Sequence, residues 1–83
     1  MSNAELYSMI SKFISRTDVS IDIANAIESY IDDNFGEDEF MKETVEILAR
    51  YRPGGGEFLF DTDFVSDRLS KTISYLDSKF SRK

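Results

Sequence analysis

The sequence predicts an all-α fold, a single-domain antiparallel four-helix bundle. Three observations lead there. Apolar residues recur with a period near 3.6 in four separate segments. The links between the segments are short, which makes consecutive helices neighbours of opposite direction. A chain of 83 residues also has room for one modest core and no more. The domain is expected to fill residues 1–83, with flexible ends at about 1–4 and 81–83.

Segment one carries Leu6, Met9, Ile10, Phe13 and Ile14, which share one helical face. Segment two opens after Thr17-Asp18, with Asp18 or Ser20 as its cap. Val19, Ile23, Ala26, Ile27, Tyr30 and Ile31 make its apolar face. Gly36, after Phe35, is expected as a left-handed C-cap. Segment three runs from about Asp38 to Tyr51 and should bury Phe40, Met41, Thr44, Ile47, Leu48 and Tyr51. Pro53 disfavours helical geometry at Arg52 and ends it.

Gly54-Gly55-Gly56 then calls for a mobile or unusually turned chain, because glycine has the most backbone freedom to lose. Phe58, Leu59 and Phe60 follow and are too apolar for all of them to lie free. At least one should pack on the core. Segment four begins at a cap, Asp61 or Thr62, and presents Val65, Leu69, Thr72, Ile73, Leu76 and Phe80. Most of the seven Phe and four Tyr fall on these inward faces. Tyr30 and Tyr51 are expected in the core, and Tyr7 and Tyr75 are left open between core and interface.

Composition narrows the function. Hydrophobic residues at 41% and charged residues at 31% describe a chain that folds. No Cys is present, so disulfides and thiolate chemistry are excluded. No His is present either, which removes the usual general base at neutral pH and the commonest metal ligand. A chain this short has little room for a substrate cleft, so no enzymatic activity and no cofactor are expected. No apolar run approaches the roughly 20 residues of a membrane span. Nor does a basic stretch followed by an apolar one open the chain, so no secretory signal is expected and the cytoplasm is the expected compartment.

Charge is unevenly laid out. The net charge is −6, but residues 1–67 hold 15 acids and 5 bases, whereas residues 68–83 hold 1 acid and 5 bases. Such a chain repels phosphate backbones and favours a basic partner over direct nucleic-acid binding. Two acidic groups stand out, at opposite ends of an antiparallel bundle. One is Asp32, Asp33, Glu37, Asp38 and Glu39. The other is Glu57, Asp61, Asp63 and Asp67, which Glu46 extends. Helix capping accounts for Asp38, Glu39, Asp61 and Asp63 without any partner. It accounts less well for Glu57, Asp67, Asp32 and Asp33, the last two lying near a helix C-terminus, where negative charge is slightly unfavourable.

Other motifs fail on chemistry. Asp32, Asn34 and Glu43 match positions 1, 3 and 12 of a calcium loop, but Glu37 stands where the sixth position needs Gly. The glycine triplet is followed by no Gly-Lys-Ser/Thr, so it is no phosphate loop. An acyl carrier protein is also short, acidic and four-helical, with its modified Ser in an Asp-Ser-Leu motif at the start of a second helix. Here Ser20 is preceded by Val19 and the preceding link is short, so Ser20 reads as a helix-start residue. A carrier domain using Ser20 and a non-catalytic interaction module stand as the alternative functions.

Ala49-Arg50-Tyr51-Arg52-Pro53, a short loop, Phe58-Leu59-Phe60-Asp61-Thr62-Asp63 and then Leu69, Ile73 and Leu76 make a recognisable succession. With Ile10-Ser11-Lys12-Phe13-Ile14 and Asp18 to Ile23, it resembles the colicin D immunity family, which includes immunity proteins of contact-dependent growth inhibition. Where that family has an acidic loop after the Pro, this chain has Gly54-Gly55-Gly56. The resemblance implies a bacteriocin-type immunity protein that neutralises a cognate nuclease toxin, often a tRNase, by covering its basic RNA-binding site. Glu46, Glu57, Asp61, Asp63 and Asp67 are the first candidates for toxin binding. Asp32, Asp33, Glu37, Asp38 and Glu39 are the second.

Overall fold

The computed structural model describes residues 4–57 and 59–80, the last of these by its backbone alone. Expectations that fall on residues 1–3, Phe58, the Phe80 side chain and 81–83 lie outside the described residues. Four helices make up the described chain: α1 (Ala4–Ile14), α2 (Ile21–Phe35), α3 (Glu39–Ala49) and α4 (Thr62–Phe80). Ala4, expected in a flexible end, begins α1.

Each helix packs on two others, in the cyclic order α1, α2, α3, α4 and back to α1. Specific contacts fix which ends meet. Tyr7 near the start of α1 donates to Asp77 near the end of α4 at 2.8 Å. After the end of α1, Arg16 reaches Asp63 in the first turn of α4 at 2.6 Å. The Tyr51 hydroxyl, just past α3, donates to the Val19 carbonyl at 2.6 Å and lies 2.9 Å from the Thr62 hydroxyl.

The core follows the helical period. Leu6, Ile10 and Phe13 of α1, Ile23, Ala24, Ile27 and Ile31 of α2, Met41 and Leu48 of α3, and Val65, Leu69 and Leu76 of α4 are buried, together with Tyr51. On α2 the buried alanine is Ala24, whereas Ala26, expected inside, is exposed. The reason is rotational: Ala24 lies between Ile23 and Ile27 on the inward arc, and Ala26 falls at its edge. Thr44 and Thr72 are also fully buried. Their hydroxyls lie 3.3 Å apart, and each also bonds the carbonyl four residues back in its own helix. Among the described residues no buried side-chain nitrogen or oxygen lacks a partner.

The helix ends obey local chemistry. Ser20 caps α2, accepting from the Ile23 N–H at 3.2 Å, while Asp18 accepts from the Ser20 N–H at 3.0 Å. Asp38 caps α3 through the Met41 N–H at 3.0 Å, and Asp61 caps α4 through the Phe64 N–H at 2.9 Å. Gly36 departs from expectation. It keeps right-handed helical angles, φ −60° and ψ −18°. Its need for glycine is steric, since a Cβ there would meet the Asp32 carbonyl oxygen at 2.9 Å. The left-handed position is instead Arg16, after α1, at φ 67°.

Helix α3 ends at Ala49, two residues short of the expected Tyr51. Tyr51 leaves the helix but stays buried, its ring edge-on to Phe13 at 5.1 Å. It forms an isolated parallel bridge with Phe60. The Phe60 N–H donates to Arg50 and the Phe60 carbonyl accepts from Arg52, both at 2.9 Å. The glycine-rich loop is therefore tied at its base, and Gly55 and Gly56 turn its tip at φ 72° and 141°. Phe60 packs on the core, as expected of at least one of the loop's apolar residues.

Candidate functional site

The acidic residues divide by what they do internally. Asp61 is a cap. Asp63 pairs with Arg16, which also donates to the Ser66 hydroxyl, and Asp67 pairs with Lys71 one turn on at 3.3 Å. Of the first-choice set only Glu46 and Glu57 are exposed without an ion pair or cap among the described residues. In the second set Asp38 is a structural hub. Besides capping α3, it accepts from the Tyr75 hydroxyl and from Lys79 Nζ at 3.2 Å, and its side chain is only 12% exposed. Burial works against its charge, but the hydrogen bonds from Tyr75, Met41 and Lys79 outweigh it and hold the carboxyl below its ordinary value of 3.8. Glu39 makes a loose 3.9 Å pair with Lys42. Asp32, Asp33 and Glu37 are exposed and form no ion pair among the described residues.

The structure brings members of both sets together. An open depression of about 630 Å³ between the end of α2 and the outer face of α3 is lined by Asp32, Glu39, Glu43 and Glu46, with Lys42 as its one cation. A second, of about 830 Å³, continues past Asp33, Glu37 and Asp38 to Tyr75 and Lys79. Glu46, grouped by sequence with the acids before α4, lines the first depression together with Asp32. Four carboxylates line this surface; Lys42 pairs loosely with Glu39 and Arg68 pairs with Glu43, which leaves Asp32 and Glu46 without an ion pair among the described residues.

Glu43 is a member that charge clustering alone did not single out. It pairs with Arg68 at 3.3 Å and remains 65% exposed. Arg68 is fixed from several sides. It donates to the Thr44 hydroxyl at 3.0 Å and the Phe40 carbonyl at 2.8 Å, and lies 4.0 Å over the Phe40 ring. Phe40 in turn stacks on Tyr75 at 4.2 Å. Tyr75 is thus an internal strut, and Tyr7 is half-buried against Asp77. The basic tail half of α4 is spent inside the molecule: Arg68, Lys71 and Lys79 each hold a carboxylate.

Among the described residues no three of His, Cys, Asp and Glu converge to hold a metal ion. The Ser20 hydroxyl is engaged as a helix cap. No described helix is long and apolar enough to cross a membrane. Compared with known protein families, characterised proteins and solved structures, the chain matches none.

Proposed function

We propose that this chain is a non-catalytic, cytoplasmic immunity protein of the colicin D type, an antiparallel four-helix bundle that neutralises a cognate nuclease toxin. Its inhibitory surface is the acidic depression between α2 and α3. Carboxylates there take the place of RNA phosphates against the toxin's Lys and Arg residues. One observation carries this reading: Asp32, Asp33, Glu37 and Glu46 line the two adjoining depressions, are exposed and have no ion pair among the described residues, while Lys42, Arg68 and Lys79 are paired with Glu39, Glu43 and Asp38. Like charges so placed weaken the fold slightly, and a basic partner recovers that cost on binding.

The test is genetic and then kinetic. A gene for a toxin with a basic nuclease domain should adjoin this one, and co-expression of this chain should protect cells from it. Absence of protection overturns the proposal. With the purified pair, replacing Asp32, Asp33 and Glu46 by their amides should slow association by about tenfold or more and flatten its dependence on salt. The Asp63→Asn variant, whose carboxylate is already held by Arg16, should change both much less.

A further inference from the structure

Phe64 is the most exposed large apolar residue of the described chain, at 49%, and it is not isolated. Its ring stacks on Phe60 with centroids 4.4 Å apart and planes within 9°. Leu59 beside them is 37% exposed. Both rings stand on fixed backbone. Phe60 is held by its two main-chain hydrogen bonds to Arg50 and Arg52, and the Phe64 N–H is bound by the Asp61 cap. Little freedom is left to lose when a partner covers them. The surroundings are charged. Glu43, Glu46 and Arg50 line a depression of about 280 Å³ beside Phe60, and Asp61 and Asp67 lie one turn either side of Phe64. Glu46 also belongs to the acidic depression between α2 and α3, so the two surfaces are continuous.

We infer that the Phe60–Phe64 pair is the apolar anchor of a protein-docking surface, whose occupant is a basic protein segment carrying an apolar side chain flanked by Lys or Arg. This rests on the proposed function in taking the partner to be a basic protein, and adds how that partner is gripped. Charge complementarity selects the occupant. A second copy of this chain would set carboxylates against carboxylates, since residues 1–67 hold 15 acids against 5 bases. A basic segment meets opposite charge at the rim while its apolar side chain covers the rings, the division between anchor and rim that interfaces use.

Two amidated pentapeptides of equal charge test this, Lys-Lys-Trp-Lys-Lys and Lys-Lys-Ser-Lys-Lys. The chain has no Trp, so the indole fluorescence of the first reports binding directly, and NMR titration follows both. Burying one aromatic side chain should make the Trp peptide bind about tenfold tighter or more. The Phe64→Gln variant, shown folded by circular dichroism, should erase that difference and keep the salt dependence of both. In the unaltered chain, the ring signals of Phe60 and Phe64 should shift with the Trp peptide and scarcely with the Ser peptide, which tests the inference even if the variant fails to fold. Equal affinities, shifts confined to another face, or a wild-type dimer in sedimentation that Phe64→Gln abolishes would each overturn it. None of these readouts involves a toxin. Failed protection of cells therefore removes the immunity reading alone, and equal peptide affinities remove the anchor alone.

Discussion

Asp38 shows how much one residue at a helix start can hold. It caps α3 and receives Tyr75 and Lys79 from the far end of α4. Its carboxyl titrates below 3.8 in the folded chain, so its charge stabilises the fold above that value, and the contribution is lost as pH falls through the folded pKa. The Asp38→Asn variant keeps the cap but removes the charge. Thermal melts against pH should show its acid limb between about pH 5 and 3 flatter than that of the wild type. Asp38→Ala, which loses the cap as well, should lose about 0.5–2 kcal/mol more. Arg16 offers a cleaner separation. Gly and Ala variants both lose the bonds to Asp63 and Ser66, but only Ala retains a Cβ at φ 67°. Urea unfolding should find Arg16→Gly more stable than Arg16→Ala by about 1 kcal/mol. Neither role was legible from the chain itself. Asp38 was visible as a cap because capping is local, but its partners lie 37 and 41 residues away. A left-handed arginine has no composition signal of the kind glycine carries.

At the scale of elements, the four helices were legible because apolar period is a local property, and for the same reason the caps narrowed to Asp18 or Ser20 and to Asp61 or Thr62, of which the structure uses Ser20 and Asp61. Register on a helix face was less so. Ala24 and Ala26 are identical side chains two positions apart, and only packing decides which is buried. Helix α3 ends before the apolar period does, because Tyr51 keeps that period after the backbone has left the helix. Tyr51 then joins three elements: its ring meets Phe13 of α1, and its hydroxyl bonds Val19 before α2 and Thr62 at the start of α4. The Tyr51→Phe variant keeps the ring and leaves the Val19 carbonyl without that donor. It should lower the unfolding free energy by about 1–3 kcal/mol with the urea slope unchanged. The glycine loop matters at this scale too. Gly55→Ala places a side chain at φ 72° and should cost about 1 kcal/mol in the same experiment.

For the whole molecule, the uneven charge was legible and its grouping was not. Sequence neighbourhood put Glu46 with the acids before α4, whereas the packing of α2 on α3 places it in one depression with Asp32. Chain order also could not tell a spent carboxylate from a free one, because the pairs of Arg16 with Asp63 and Arg68 with Glu43 span 47 and 25 positions. A global trade-off follows. Asp32 and Asp33 sit near the C-terminus of α2, where the helix dipole disfavours them. Their joint replacement by Asn should raise stability by about 0.3–1 kcal/mol in denaturant titrations while weakening association with a basic partner.

The knot of main-chain bonds at Phe60 has a practical corollary. Arg50 and Arg52 fasten the loop below its tip, and a side chain at Gly54 would meet open space. Lengthening a closed loop costs little, since the entropy grows only with the logarithm of its length. A short peptide tag spliced in after Gly54 should therefore leave the melting curve nearly unmoved. It would give a reporter handle in the loop whose base Phe60 closes.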